Sequence, residues 1–179
     1  MNHILKIIFV VLGTTFANIS LCVANPADYF GGNFINMDYE SENFPSSSIN
    51  LMSLTLGNYV DTYYRAELRI GYGLSDRKVN YNGSENTYEL DRYVGAYIKY
   101  GLHFDEDISP YIITGVTHSK TKQKTGGSFE SISDASFSYG LGVEFSKTKT
   151  SSFNLEYVNY NDGDKVGLNG ISLGYNHSF

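Results

Sequence analysis

The sequence predicts an all-β fold, an eight-stranded antiparallel up-and-down transmembrane β-barrel, and three observations predict it. The chain of 179 residues has 16 Tyr, 11 Phe and 18 Gly but no Trp, a balance that suits strands better than helices. From residue 27 onward it falls into eight short segments in which apolar and polar residues alternate. The connectors alternate too: residues 40–48, 75–87, 119–133 and 161–165 are mostly long and polar, whereas 61–62, 105–109 and 146–151 are short. Long connectors outside and short ones inside are the pattern of a membrane barrel.

Residues 1–24 are expected to be a signal peptide. Lys6 stands near the start, the apolar run Ile7 to Leu12 follows, and Val23-Ala24 precede Asn25-Pro26, which are the three zones of a secretory signal. Cleavage after Ala24 leaves residues 25–179 as one barrel domain. Gly13, Thr14, Thr15, Asn18 and Ser20 dilute the run, which falls short of the roughly 18 continuous apolar residues of a spanning helix. Leu21 stands before Cys22, where a lipid-attachment signal has a small residue. Cys22 is the only cysteine, so the mature chain would form no disulfide, redox pair or thiolate metal site. The formal charge is −6, and losing Lys6 with the leader leaves 12 basic against 19 acidic residues, or −7. Such a surface repels nucleic acid. No later apolar run is long enough for a membrane helix, so a mature chain that spans a membrane does so with strands.

The strands are read near 28–39, 49–60, 63–74, 88–104, 110–118, 134–145, 152–160 and 166–179. In the first two, Asn33 or Phe34 and Asn58 or Tyr59 compete for the outward position. The third sets Ala66, Leu68, Ile70, Tyr72 and Leu74 against Arg65, Glu67, Arg69, Gly71 and Gly73. The fourth sets Leu90, Val94, Ala96, Ile98, Tyr100 and Leu102 against Glu89, Asp91, Tyr93, Gly95, Lys99 and Gly101, with Arg92 breaking the apolar face near the outer rim. The fifth leaves Ile112 or Ile113 open. The sixth sets Phe137, Tyr139, Leu141, Val143 and Phe145 against Ser136, Ser138, Gly140, Gly142 and Glu144. The seventh carries Glu156, and the last places Ile171, Leu173, Tyr175, His177 and Phe179 opposite Gly170, Ser172, Gly174, Asn176 and Ser178. An even strand number puts both chain ends on one side, here the periplasmic side.

Alternation defines two faces without saying which is inside. Glycine on the polar face suits a narrow eight-strand interior, where room is scarce, and has no use on a solvated exterior. The polar face is therefore expected in the lumen. Enclosed charges must pair, because an unpaired one costs several kcal/mol, so Arg65, Arg69 and Lys99 are expected to form a salt-bridge network with Glu67, Glu89, Asp91, Glu144 and Glu156. Tyr29, Tyr39, Tyr72, Tyr88, Tyr100, Phe104 and Tyr175 are placed outward as an aromatic girdle.

The last strand, with Ile171, Leu173, Tyr175 and Phe179 on alternate positions, resembles the C-terminal strand of Gram-negative outer-membrane proteins; His177 departs from the usual apolar choice. Taken with Tyr29-Phe30-Gly31-Gly32, Ser109-Pro110-Tyr111 and Leu155-Glu156-Tyr157, residues 25–179 resemble the OmpA-like transmembrane barrel family, close in size to the OmpX and Ail group. The resemblance implies a cell outer-membrane location in a Gram-negative bacterium, recognition of the last strand by the barrel assembly machinery, and a small plugged barrel whose loops bind host surfaces or resist complement. No common catalytic residues transfer from that family, so fold outruns function.

Chemical motifs are sparse. A lipid-modifying enzyme would need a His and Ser pair, and His118-Ser119 and His177-Ser178 are the candidates. Adjacent strand residues point to opposite faces, which is poor geometry for proton transfer. Lys120, Lys122 and Lys124 could contact lipopolysaccharide phosphates or a sulfated host polymer. Asn161-Asp162-Gly163-Asp164 has oxygen ligands but lacks the spaced acids of a calcium loop and suits a turn. No metal or cofactor is expected. The expected function is a small, monomeric, non-enzymatic outer-membrane barrel with a packed polar lumen and loops serving envelope stability, adhesion or surface interaction. The alternatives are an outer-membrane lipid-modifying enzyme and a narrow gated pore.

Overall fold

A computed structural model describes residues 27–41, 44–74, 77–81, 84–102, 107–125, 128–148, 150–162 and 166–179. Strand β1 (Tyr29–Ser41) pairs antiparallel with β2 (Phe44–Tyr59), and β2 pairs with β3 (Tyr64–Gly73). The short β4 (Arg77–Tyr81) continues β3 along the same edge of β5 (Ser84–Gly101), so the two act as one stave. β6 (Ile108–Thr125), β7 (Ser128–Thr148), β8 (Ser151–Asp162) and β9 (Val166–Ser178) follow in order. β9 returns to β1, in register from Tyr29↔Ser178 to Ser41↔Val166. The sheet closes into an eight-stave antiparallel barrel.

Residues 27 and 179, the first and last described, and the short turns share one end, called here the terminal end. The turn between β2 and β3 is set by Asp61, whose Oδ1 accepts from the Tyr63 and Tyr64 N–H groups at 2.6 and 2.7 Å, the local competition for backbone donors that makes Asp a turn residue. The other end, the hairpin end, is taller. β5 and β6 stay paired up to Asn86↔Thr125 and β6 and β7 up to Thr125↔Ser128, whereas the β7–β8 pairing reaches only Tyr139↔Asn159. Most of what the sequence suggested as long connectors at 40–48, 75–87 and 119–133 is thus strand, and β5–β6–β7 rise beyond the barrel as a sheet. Ser, Thr and Lys occupy both faces of this extension, so no apolar alternation marks it, although Thr is a good strand former.

The faces divide sharply. Leu54, Leu68, Ile70, Val94, Ile98, Ile112, Phe137, Leu141, Leu155, Ile171 and Leu173 are exposed on the outside, while Arg65, Glu67, Arg69, Lys99, Glu144 and Glu156 are buried inside. The open choices resolve as Phe34 and Ile112 outward, with Asn33 and Ile113 inward; Tyr59, exposed at the mouth of the barrel, follows the inward positions Leu51, Ser53, Thr55 and Gly57 and lies against Tyr29 and Arg65. Two residues expected outside lie inside. Tyr29, placed in the outer girdle, is completely buried, because the register against Gly57 and Ser178 makes the odd positions of β1 the inward ones. Leu90, placed outward, is buried as well, because a bulge between Leu90 and Arg92 shifts the register by one residue and exchanges the faces beyond it. Tyr72, Tyr100 and Tyr175 do lie outside. The side chains of Tyr39 and Tyr88, and residue Phe104, lie outside the described residues.

Candidate functional site

The lumen is filled in two layers. Toward the terminal end lies an ionic layer, built from inward positions of β3, β5, β7 and β8. Arg69 bonds Glu67 through Nε at 2.8 Å and Glu156 through Nη1 and Nη2 at 2.7 and 2.8 Å. Lys99 Nζ sits 2.7 Å from Glu67 and 2.9 Å from Glu156. Arg65 Nη1 meets both oxygens of Glu144 at 2.8 and 2.9 Å. Three cations face three carboxylates, so the layer is electrically neutral, the condition under which buried charge is tolerable.

Tyrosines complete the shell. Tyr29 donates to Glu67 and Tyr111 to Glu156, each at 2.7 Å. Arg69 lies over the Tyr97 ring at 5.1 Å, Lys99 over Tyr111 at 4.6 Å and Arg65 over Tyr59 at 4.8 Å. Glycine leaves the room these rings need: a side chain at Gly57 would collide with the Tyr29 ring, and one at Gly71 with the Tyr93 ring.

Toward the hairpin end lies an apolar layer that sequence reasoning missed. Ile35, Met37, Ile49, Leu51, Leu90, Tyr93, Ile113, Val158, Tyr160 and Leu168 are all buried there, with the Tyr93 and Tyr160 rings 5.7 Å apart. The signal that could have found it is parity. Once one inward residue of β1 is known, Ile35 and Met37 follow at spacings of two.

The bulge also redistributes the acids expected in the lumen. Asp91 does not join the network; it meets Lys122 at 2.7 Å on the partly exposed extension. Glu89, adjacent to the buried Leu90, falls on the opposite face. The Lys122 ammonium holds the Asp91 carboxyl below its ordinary range, and Asp91 in turn raises Lys122. Lys120 lies opposite Arg92 in register, so Arg92, Lys120 and Lys122 share the outer face just beyond Val94 and Val116. The Lys124 side chain lies outside the described residues.

The histidine pairs are separated as strand geometry demands. His118 is exposed on the exterior while Ser119 is buried. His177 packs 5.7 Å from the Phe30 ring and 3.5 Å from Ser151 Oγ, whereas Ser178 bonds Tyr59. Asn161 bonds Asp134 and Ser136 at the edge of β7; Gly163 and Asp164 lie outside the described residues. Among the described residues no group of three or more His, Cys, Asp or Glu could hold a metal ion.

An apolar exterior wrapped around an ionic interior is the inverse of a soluble barrel, and only a hydrocarbon surround accounts for it. β3 alone, 10 residues long, spans about 25 Å at a rise of about 3.3 Å per residue and a tilt of about 40°, which matches a lipid-facing band. The chain belongs to the outer membrane protein beta-barrel domain family, which it matches over residues 13–179. As a member of this family it is an integral protein of the Gram-negative outer membrane.

Solved structures agree on the fold. The barrel is similar to Ail, the attachment invasion locus protein of Yersinia pestis, with a TM-score of 0.64 and 16% identity over 87% of this chain and 99% of that one. It is similar to Neisserial surface protein A, with a TM-score of 0.63 and 13% identity over 84% of this chain and 96% of that one. The N-terminal barrel domain of Pseudomonas aeruginosa OprF gives a TM-score of 0.55 and 12% identity over 85% of this chain and 99% of that one. At these identities the likeness concerns the fold. No curated protein matches the sequence.

Proposed function

We propose that this barrel is a sealed, non-enzymatic, monomeric protein that offers its tall hairpin sheet as a contact surface for anionic groups, serving envelope stability or attachment. In this reading residues 1–24 are a signal peptide removed on export, the hairpin end faces the medium, and the barrel assembly machinery receives the last strand. The observation that carries the proposal is a filled lumen beside an outer rim where three cations, Arg92, Lys120 and Lys122, outnumber the acids Glu89 and Asp91. Buried side chains occupy both layers of the interior, which supports a sealed barrel, while Arg92, Lys120 and Lys122 stand just past the apolar band. At that height they would meet lipopolysaccharide phosphates or, beyond them, the sulfates of a host polymer. Ail, which shares the fold, has been crystallised in complex with the heparin analogue sucrose octasulfate. The separation of His118 from Ser119 speaks against a hydrolase at the rim.

The test is retention on immobilised heparin and binding to lipopolysaccharide-containing nanodiscs, comparing the wild type with Arg92→Gln/Lys120→Gln/Lys122→Gln. Earlier elution and weaker nanodisc binding by the triple variant are expected. Identical elution and binding would reject the basic rim as the contact surface.

A further inference from the structure

Seven of the eight stave junctions are tied at one end by the chain itself; the β1–β9 junction joins the first strand to the last and has no such tie. Loop closure keeps the ends of the other seven at high effective concentration, so this seam depends on non-covalent contacts alone. Side chains concentrate there at the terminal end. The Tyr59 hydroxyl reaches from β2 over β1 to Ser178 Oγ on β9, at 2.6 Å. Asp28 accepts the Phe179 N–H on its carbonyl at 3.0 Å, donates its own N–H to Gly57 O at 2.9 Å, and takes the Tyr59 N–H on Oδ2 at 2.8 Å. Phe30 packs against His177 and Phe179 in tilted ring pairs, with centroids 5.7 and 5.6 Å apart.

These contacts fasten the last three residues of the chain to two staves at once. We propose that Asp28, Phe30 and Tyr59 form a seam latch: the barrel unfolds by parting β1 from β9 at the terminal end, and the latch sets the rate of that step. A hydrogen bond made in the native barrel but already lost in the transition state slows unfolding and leaves folding untouched.

The experiment uses the full chain with Cys22→Ser, which removes the only cysteine. Phe30 and His177 are direct partners across the seam, within reach of a disulfide between antiparallel neighbours, so Phe30→Cys/His177→Cys provides a reversible lock. Unfolding is followed in detergent by the loss of the heat-sensitive, faster-migrating band. Tyr59→Phe keeps the ring over Arg65 and removes only the hydroxyl. It should unfold about fivefold faster than the parent, the factor for one ordinary hydrogen bond, as should Ser178→Ala, and the two changes together should be no faster than either. With the disulfide closed, Tyr59→Phe should have no effect, and reduction should restore it. Parental unfolding rates for both single variants, or equal acceleration with the seam locked, would overturn the latch.

Discussion

Arg69 and Glu156 meet across the closed barrel in a two-point contact, 2.7 and 2.8 Å, that joins β3 to β8 through the lumen. Lys99 also meets Glu156, and Glu67 meets both Arg69 and Lys99, so each of the four charges has two opposite neighbours. Replacing Arg69 by Met leaves Glu67 and Glu156 beside Lys99 alone. Removing one partner from a buried ionic set costs about 3–5 kcal/mol, and denaturant unfolding in micelles should show that loss. A change below about 1 kcal/mol would mean that water reaches the layer.

The apolar layer makes a separate prediction about conduction. Glu67→Ala and Arg69→Ala open only the ionic layer, while Ile35, Leu51, Leu90, Tyr160 and Leu168 still block the lumen above it. Planar-bilayer conductance is therefore expected to stay at baseline in both. It should rise only when the apolar layer is thinned too, as in Arg69→Ala/Leu90→Ala/Tyr160→Ala. Current through Arg69→Ala alone would support the gated-pore alternative instead.

Substitution of the outer face should depend on height. Leu141, 63% exposed in the middle of the band, should cost about 2–4 kcal/mol when changed to Arg, whereas the same change near the rim costs about 0–1 kcal/mol. His118, at the upper edge of that face, serves as the rim site for comparison. Equal penalties at the two positions would contradict the placement of the lipid band.

Asp91 and Lys122 lie beyond the band, where water sets the pH. The carboxyl is held low by its bond to the ammonium, so whatever order the pair gives the extension is complete above the ordinary carboxylate pKa of about 4. That order is lost as pH falls through the depressed value. An NMR titration should find the Asp91 carboxyl below the range of free carboxylates in the wild type and back within it in Lys122→Gln. A normal titration in the wild type would show that the contact does not persist in solution.

Strands with contrasting faces were legible in the sequence. β3 alternates Arg65, Glu67 and Arg69 with Leu68 and Ile70, and β7 alternates Ser138 and Gly140 with Tyr139 and Leu141, so hydropathy alone separates their faces. β1 was not legible in this way: Ile35 and Met37 face inward while Asn36 and Asp38 face out, the reverse of what lipid contact suggests, because this part of the strand stands at the upper rim. The pairing of Arg65, Arg69 and Lys99 with acids could be argued from burial. Which acids they meet could not, because a single bulge at Leu90 and Arg92 decides that Asp91 leaves the lumen. The roles of Tyr29 and Tyr111 were hidden for a related reason: a tyrosine suits a membrane boundary and a carboxylate partner equally well.

The period of two that turns each apolar side chain toward lipid has a consequence before the barrel exists. In an unfolded chain the residues of β3, β5 or β7 alternate greasy and polar every 3–4 Å, so no segment among them offers a helix that an inner bilayer could retain. Among the described residues such a chain offers no apolar helix to arrest it in a first membrane, and a continuous apolar surface arises only when its strands close.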